Sequence, residues 1–160
     1  MNRDETCQYL TDHGVCYERM DHPAVYNMEE IDRLALPHPE AEAKNLFVRD
    51  DKKKNYYLIT VKSEKRVDLK AFSQRHGLRK LSFASAEDLA ALLELTPGSV
   101  SPLGLLNDAG RRVTLYLDAA FCGGLIGIHP NENTATVWLQ TEELVRLLRE
   151  QGSRVELTEL

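Results

Sequence analysis

Strand-like and helix-like runs follow one another in this chain of 160 residues without strict βαβ alternation. That irregular order narrows its possible folds more than any other feature. A doubly wound sheet needs a helix after nearly every strand. Here VCYERM, NLFVRD, YYLITV, RVTLYLD, GGLIGI, TATVWL and RVEL read as strands. Some of them are separated by no more than a polar turn, such as DDKKKN between NLFVRD and YYLITV. The order points to an α+β or mixed α/β domain.

The helices between them are short and carry start and stop signals. DETCQYLTDHG has Cys7 and Leu10 at helical spacing, with Asp4 as the expected N-cap and Gly14 as the stop. Asp21-His22-Pro23 breaks the first strand, and a short helix is expected over 27–34. LPHPEAEA is read as a loop, because two prolines in three residues cannot continue a helix. Asp68 opens DLKAFSQRHG and Gly77 closes it. Ser85 and Asp88 form a capping-box pattern ahead of DLAALLEL, where Leu89, Leu92 and Leu93 share a face. TPGSVSPLGLLNDAG is a loop dense in Gly, Pro and Ser, and Thr141 is expected to cap the last helix, EELVRLLREQG.

Bulk properties exclude several classes. Hydrophobic residues make up 42% and charged residues 28%, as in an ordinary globular chain that can bury a core without staples. No apolar run reaches the ~20 residues that span a bilayer, and MNRDETCQYL has no apolar signal core. Cys7, Cys16 and Cys122 are odd in number and form no CxxC pair, so neither a disulfide framework nor a zinc site is expected. A cytoplasmic location is the simplest expectation. The formal charge of −5 argues against a general nucleic-acid coat, but it is unevenly spread. From Lys44 to Lys80, twelve Lys and Arg face four Asp and Glu, a local balance of +8 that leaves −13 elsewhere. Two readings fit that stretch: a basic face meeting phosphates, or a solvated hairpin and helix.

Common catalytic signatures are missing. There is no GxSxG, no HExxH, no spaced Cys/His set and no GxGxxG or GxxxxGK[ST] cradle. No metal and no cofactor is expected. Three segments remain. Lys44-Asn45 stands where a loop enters an apolar strand, suited either to hold a carbonyl or phosphate oxygen or to sit solvated at an edge. TPGSVSPLGL permits close backbone approach and presents N–H groups that could surround an oxyanion, or is a plain structural loop. In GIHPNENTATVWL the turn is unusually polar, and His129 either lines a pocket or satisfies the turn itself.

Together, AKNLFVRD, PGSVSPLGLLND and IGIHPNENTATVWL, in that order and spacing, resemble the YbaK/prolyl-tRNA-synthetase-associated deacylase family. They are most similar to its free-standing ProXp-ala or PrdX-type prolyl-tRNA editing members. The resemblance covers nearly the whole chain. It implies one domain over residues 1–160, an α+β fold (mixed α/β) with a mixed, mostly antiparallel, curved sheet flanked by helices. It implies a trans-editing hydrolase that deacylates Ala-tRNA(Pro) and spares Pro-tRNA(Pro) by pocket size. Alternatives are a pocket for serine or cysteine, or a non-catalytic tRNA- or amino-acid-binding module; a DNA-binding reading has no recognition helix behind it. By the same resemblance Lys44 is the catalytic residue, and Asn45, Gly98, Ser99, Ser101, Gly127, His129 and, less directly, Asp118 belong to the substrate pocket. The 129–134 turn would be polar because it faces an aminoacyl-adenosine, with Asn131, Asn133 and Thr134 either touching ligand or bracing the turn. Lys52, Lys53, Lys54, Arg66, Arg75 and Lys80 would meet acceptor-stem phosphates. The implied partners are mischarged tRNA(Pro) and, transiently, prolyl-tRNA synthetase, with neither membrane nor DNA.

Overall fold

The computed structural model describes residues 1–160. Helix α1 (Arg3–Asp12) starts one residue before the expected cap. Asn2, not Asp4, is the N-cap: its side chain accepts from the Glu5 amide while the Glu5 carboxylate accepts from the Asn2 amide, a complete capping box. Strand β1 (Tyr17–Asp21) follows, then α2 (Met28–Arg33), capped by Asn27. The loop expected next holds one turn of 3-10 helix, Pro39–Ala41.

Strands β2 (Ala43–Asp50) and β3 (Tyr56–Lys62) form the expected hairpin. The buried Asp50 carboxylate fixes their turn by accepting from the Lys54 amide (3.0 Å) and the Asn55 side chain (2.8 Å). Helices α3 (Leu69–Arg75) and α4 (Ala86–Leu93) are capped by Asp68 and Ser85 as expected. Between them lies β4 (Leu81–Phe83), unmarked in the sequence because it has three residues and two of them are exposed. The Gly/Pro/Ser-rich loop tightens into 3-10 helix at Pro102–Asn107. Then come β5 (Val113–Asp118), β6 (Leu125–Ile128), β7 (Ala135–Gln140), α5 (Thr141–Glu150) and β8 (Arg154–Thr158). Thr141 does not cap α5. It is the first helical residue, and its hydroxyl approaches the carbonyl oxygens of Phe121 (2.9 Å) and Gly124 (3.0 Å).

The strands are mixed and mostly antiparallel, in two sheets. β1-β7-β6 is antiparallel throughout, and β4-β2-β3-β5-β8 is antiparallel at β4/β2/β3 and parallel at β3/β5/β8. Residues alternate between the two faces of the larger sheet, as pleating requires. Phe47, Leu58, Leu115 and Val155 enter the main core with β6, β7, α1, α4 and α5. Val48, Ile59 and Tyr116 face the other way and pack with Phe72 of α3. An isolated bridge between Glu42 and Gly127 is the one ladder contact joining the two sheets.

Candidate functional site

A cavity of about 240 Å³ opens beside that bridge, where α2, the start of β2, the 96–101 loop and the β6/β7 hairpin meet. Five of the sequence-derived residues line it: Lys44, Asn45, Gly98, Gly127 and His129. Lys44 is the second residue of β2, not a loop residue, and pairs with Val61. It is half-buried and its ammonium has neither ion-pair nor hydrogen-bond partner. Asn45 is fixed at both ends of its amide: Nδ2 donates to Val100 O (3.2 Å) and Oδ1 accepts from the Thr60 hydroxyl (2.6 Å). One N–H of that amide stays free for an occupant.

The 96–101 loop presents alternate residues. Gly98 and Val100 face the cavity, while Ser99 and Ser101 are buried and do not line it. Ser99 Oγ accepts from the Asn133 amide (3.2 Å), and Ser101 Oγ from the Leu103 amide (3.2 Å), capping the 3-10 turn. Gly98 sits at φ +90°, and a Cβ there would lie 3.0 Å from the ring of Tyr26. Only glycine meets both demands.

The polar turn divides into two parts. Gly127, Ile128 and His129 line the cavity, but the residues after them brace. Asn131, at φ +66°, donates to the Thr6 hydroxyl (3.1 Å); Glu132 accepts from the Arg3 amide (2.5 Å); Thr134 Oγ1 accepts from the Arg3 guanidinium (3.0 Å). Asn133 Nδ2 donates to Val25 O (2.8 Å). The polarity of 131–134 therefore ties α1, the 22–27 segment and the 96–101 loop to the hairpin. His129 gives its Nδ1–H to Ala135 O (2.9 Å), which leaves Nε2 as an acceptor. Burial pushes its pKa below the ordinary 6.5, against the pull of the Ala135 carbonyl. The imidazole is uncharged at neutral pH.

Asp118 is not brought to the cavity. Fully buried at the end of β5, it accepts from the Lys62 amide (3.2 Å), the Ala120 amide (3.0 Å) and the Lys65 ammonium (2.9 Å). Burial alone would raise its pKa, but these donors outweigh it and hold the carboxyl below 3.8. Nor do the six basic candidates form one patch. Lys52, Lys53 and Lys54 occupy the β2–β3 turn, and Lys80 precedes β4 at the same end of the sheet. Arg66 lies beyond the opposite end of β3, and Arg75 donates to Glu159 O past the end of β8.

Several lining residues were not read from sequence. Trp138 stands directly across from Gly127 in the β6/β7 register and lies against its backbone; a Cβ on Gly127 would be 2.7 Å from the indole Nε1. Once the hairpin register is known, a glycine opposite the only tryptophan is a legible signal. Tyr26 stands on the rim with 69% of its surface exposed. Glu42 contributes a carboxyl whose pKa is raised above 4.5, by burial first and by the charge of Asp32 second. No three His, Cys, Asp or Glu side chains are grouped so as to hold a metal ion.

The family model described as an aminoacyl-tRNA editing domain matches residues 22–147. This chain belongs to the aminoacyl-tRNA editing family. It is 37% identical over 145 residues to the prolyl-tRNA editing protein ProX of Acetoanaerobium sticklandii, covering 90% of this chain and 88% of that one. It is 33% identical over 159 residues to the prolyl-tRNA synthetase associated domain-containing protein 1 of Mus musculus, covering 94% and 91%. Its fold matches the crystal structure of a candidate trans-editing enzyme for prolyl tRNA synthetase with a TM-score of 0.74 at 20% identity, over 100% of this chain and 98% of that one. The cavity of this editing domain falls within the matched residues. No helix is long and apolar enough to cross a membrane.

Proposed function

We propose that this chain is a trans-editing hydrolase that removes alanine from mischarged tRNA(Pro) and spares Pro-tRNA(Pro). Family membership and the prolyl-tRNA editing names of its relatives supply the substrate class. The observation that carries the reading is the composition of the cavity: a lysine without an ion-pair partner between two glycine-containing walls, no serine or cysteine among the lining residues, and a single threonine hydroxyl, Thr136, already paired with His22 Nε2 (2.8 Å). Such a site suits an ester that needs no protein nucleophile. The α-ammonium and the neighbouring ribose hydroxyl already activate an aminoacyl ester, so a positioned water suffices. The water oxygen adds to the carbonyl carbon and the carbonyl oxygen takes up negative charge. Collapse breaks the bond to the ribose oxygen, which leaves with a proton from the water. Lys44 meets the developing oxyanion, the free N–H of Asn45 orients the same end of the substrate, and uncharged His129 adds an acceptor without a second positive charge.

A synthetase site built for proline admits the smaller alanine, because a missing methylene or two is worth only about 1–3 kcal/mol. The editing cavity reverses the selection. Trp138 against Gly127, with His129 beside them, sets the depth that takes a methyl group and refuses a pyrrolidine ring. Prolyl-tRNA synthetase is then the transient source of substrate, and phosphate contacts make the reaction salt-sensitive.

The test is release of labelled alanine from Ala-tRNA(Pro), with Pro-tRNA(Pro) as control. Wild type should release alanine and spare proline. Lys44→Ala should lose about 10²–10³ in rate with an unchanged melting temperature, since the ammonium has no partner to lose. Release from Ser- or Cys-tRNA instead of Ala-tRNA would reassign the pocket. Silence on all three would leave a binding module.

A further inference from the structure

A second cleft, of about 360 Å³, lies at the end of the five-stranded sheet farthest from Lys44. Its floor is laid by residues in register: Tyr57 beside Thr114, Thr114 beside Arg154, and Tyr116 beside Glu156. Four cations surround it, Lys54, Arg111, Arg112 and Arg154, against the single carboxylate of Glu156. All four are exposed, and none forms an ion pair. Elsewhere the exposed Arg19, Arg33 and Arg79 each have a carboxylate partner, while Arg66, Arg75 and Arg149, also without one, stand outside this cleft. Two of the four cations are held in place by neutral groups. Arg111 donates to the carbonyl oxygens of Asp108 (2.6 Å) and Gln151, and Arg112 lies over the Tyr56 ring at 5.2 Å. Their positions are fixed while their charges stay uncompensated. Like charges gathered around one cleft repel each other and cost stability until an anion joins them.

We propose that this cleft binds phosphate, and that its occupant is the backbone of the same tRNA whose 3′ end enters the editing cavity. The choice of tRNA rests on the editing reading above. Guanidinium forks match phosphate oxygens in geometry and charge. The cleft is open, and Lys52, Lys53 and Lys80 flank it at the same end of the sheet. The cations therefore form a track, as a polymer of phosphates requires, where a free phosphate compound is held by enclosing donors. The span also fits. Lys44 and Asp50 are six residues apart on β2, about 20 Å at ~3.4 Å per residue. Three of the four cations, Arg111, Arg112 and Arg154, lie outside the basic 44–80 stretch and are gathered only by the fold.

The test is equilibrium binding of deacylated tRNA(Pro) across a salt series, for wild type and for Lys54→Gln/Arg154→Gln, both exposed positions. A second pair, Arg112→Lys/Arg154→Lys, keeps the charge and removes the fork. Arg146→Gln, at a paired arginine, controls for net charge. The Gln pair should bind several-fold more weakly, with the slope of log affinity against log salt reduced by about 2. The Lys pair should keep most of that slope and Arg146→Gln all of it. Melting temperatures confirm folding. Unchanged affinity and slope in the Gln pair would overturn the proposal. Inorganic phosphate and ATP are titrated in parallel. Micromolar binding of either that the Gln pair loses, with tRNA binding unaffected, would also overturn it in favour of a small phosphate ligand. If wild type releases no amino acid while tRNA binding still depends on the cleft, the editing reading fails and the cleft stands.

Discussion

Gly127 is required by the residue across the ladder from it. Its missing Cβ is the space in which the Trp138 ring lies, 2.7 Å and 2.9 Å from the indole Nε1 and Cδ1. Gly127→Ala must push the indole aside. Overpacking of that kind costs about 1–3 kcal/mol, and the displaced ring intrudes on the cavity. The expected outcome is a melting temperature several degrees lower together with at least tenfold slower alanine release, checked by circular dichroism and the deacylation assay. At this scale the sequence was a partial guide. Lys44, Asn45, Gly98, Gly127 and His129 were legible as lining residues through the family resemblance of their motifs. Ser99 and Ser101 were not separable from Gly98, because a Gly/Ser-rich loop does not reveal which of its alternating residues turn inward. Glu42, Tyr26 and Trp138 carried no local signal, since each gains its role only from the strand or loop folded against it.

The first helix holds the site without touching it. Arg3 and Thr6 reach across to Glu132, Thr134 and Asn131, so α1 props the turn that follows the cavity wall. The Thr6 hydroxyl spends its proton on Asn2 O (2.7 Å) and so accepts from Asn131 Nδ2. Thr6→Val would strand a buried amide N–H beside an Asn131 Oδ1 that already has no partner. The cost should be about 1–3 kcal/mol, read as a lower denaturation midpoint, with slower editing because the turn loosens. Helices α3 and α4 were placed by their caps, Asp68 and Ser85, and α2 falls within the expected 27–34. Of the strand partners, the β2/β3 hairpin was legible and the wider sheet order was not. Register and sheet order depend on the parallel β3–β5 pairing, which links residues more than fifty positions apart through a crossover, and nothing local encodes that choice.

For the molecule as a whole, acid should act in two stages. His129 and His76 are both held below their ordinary pKa of 6.5, chiefly by burial. The unfolded chain therefore binds these protons at a higher pH than the folded one, and their contribution to stability is complete above 6.5 and declines as the pH falls. Asp118 and Asp50 are held below 3.8, where hydrogen bonds outweigh burial, so their contribution persists through that range and is lost only at lower pH. Melting temperature against pH should show two separate declines, and His129→Gln with His76→Gln should flatten the first alone. The uneven charge was legible in the sequence, but its grouping into a cleft was not, because β8 and the start of β5 come together only in the folded sheet. Finally, the single tryptophan of the chain forms part of the cavity wall and is 2% exposed. The protein thus carries one indole fluorophore, excitable apart from its six tyrosines, located at the cavity and remote from the cationic cleft. Its emission should follow the arrival and departure of an aminoacyl end and not phosphate docking, so a stopped-flow trace isolates in time one of two events that a binding isotherm merges.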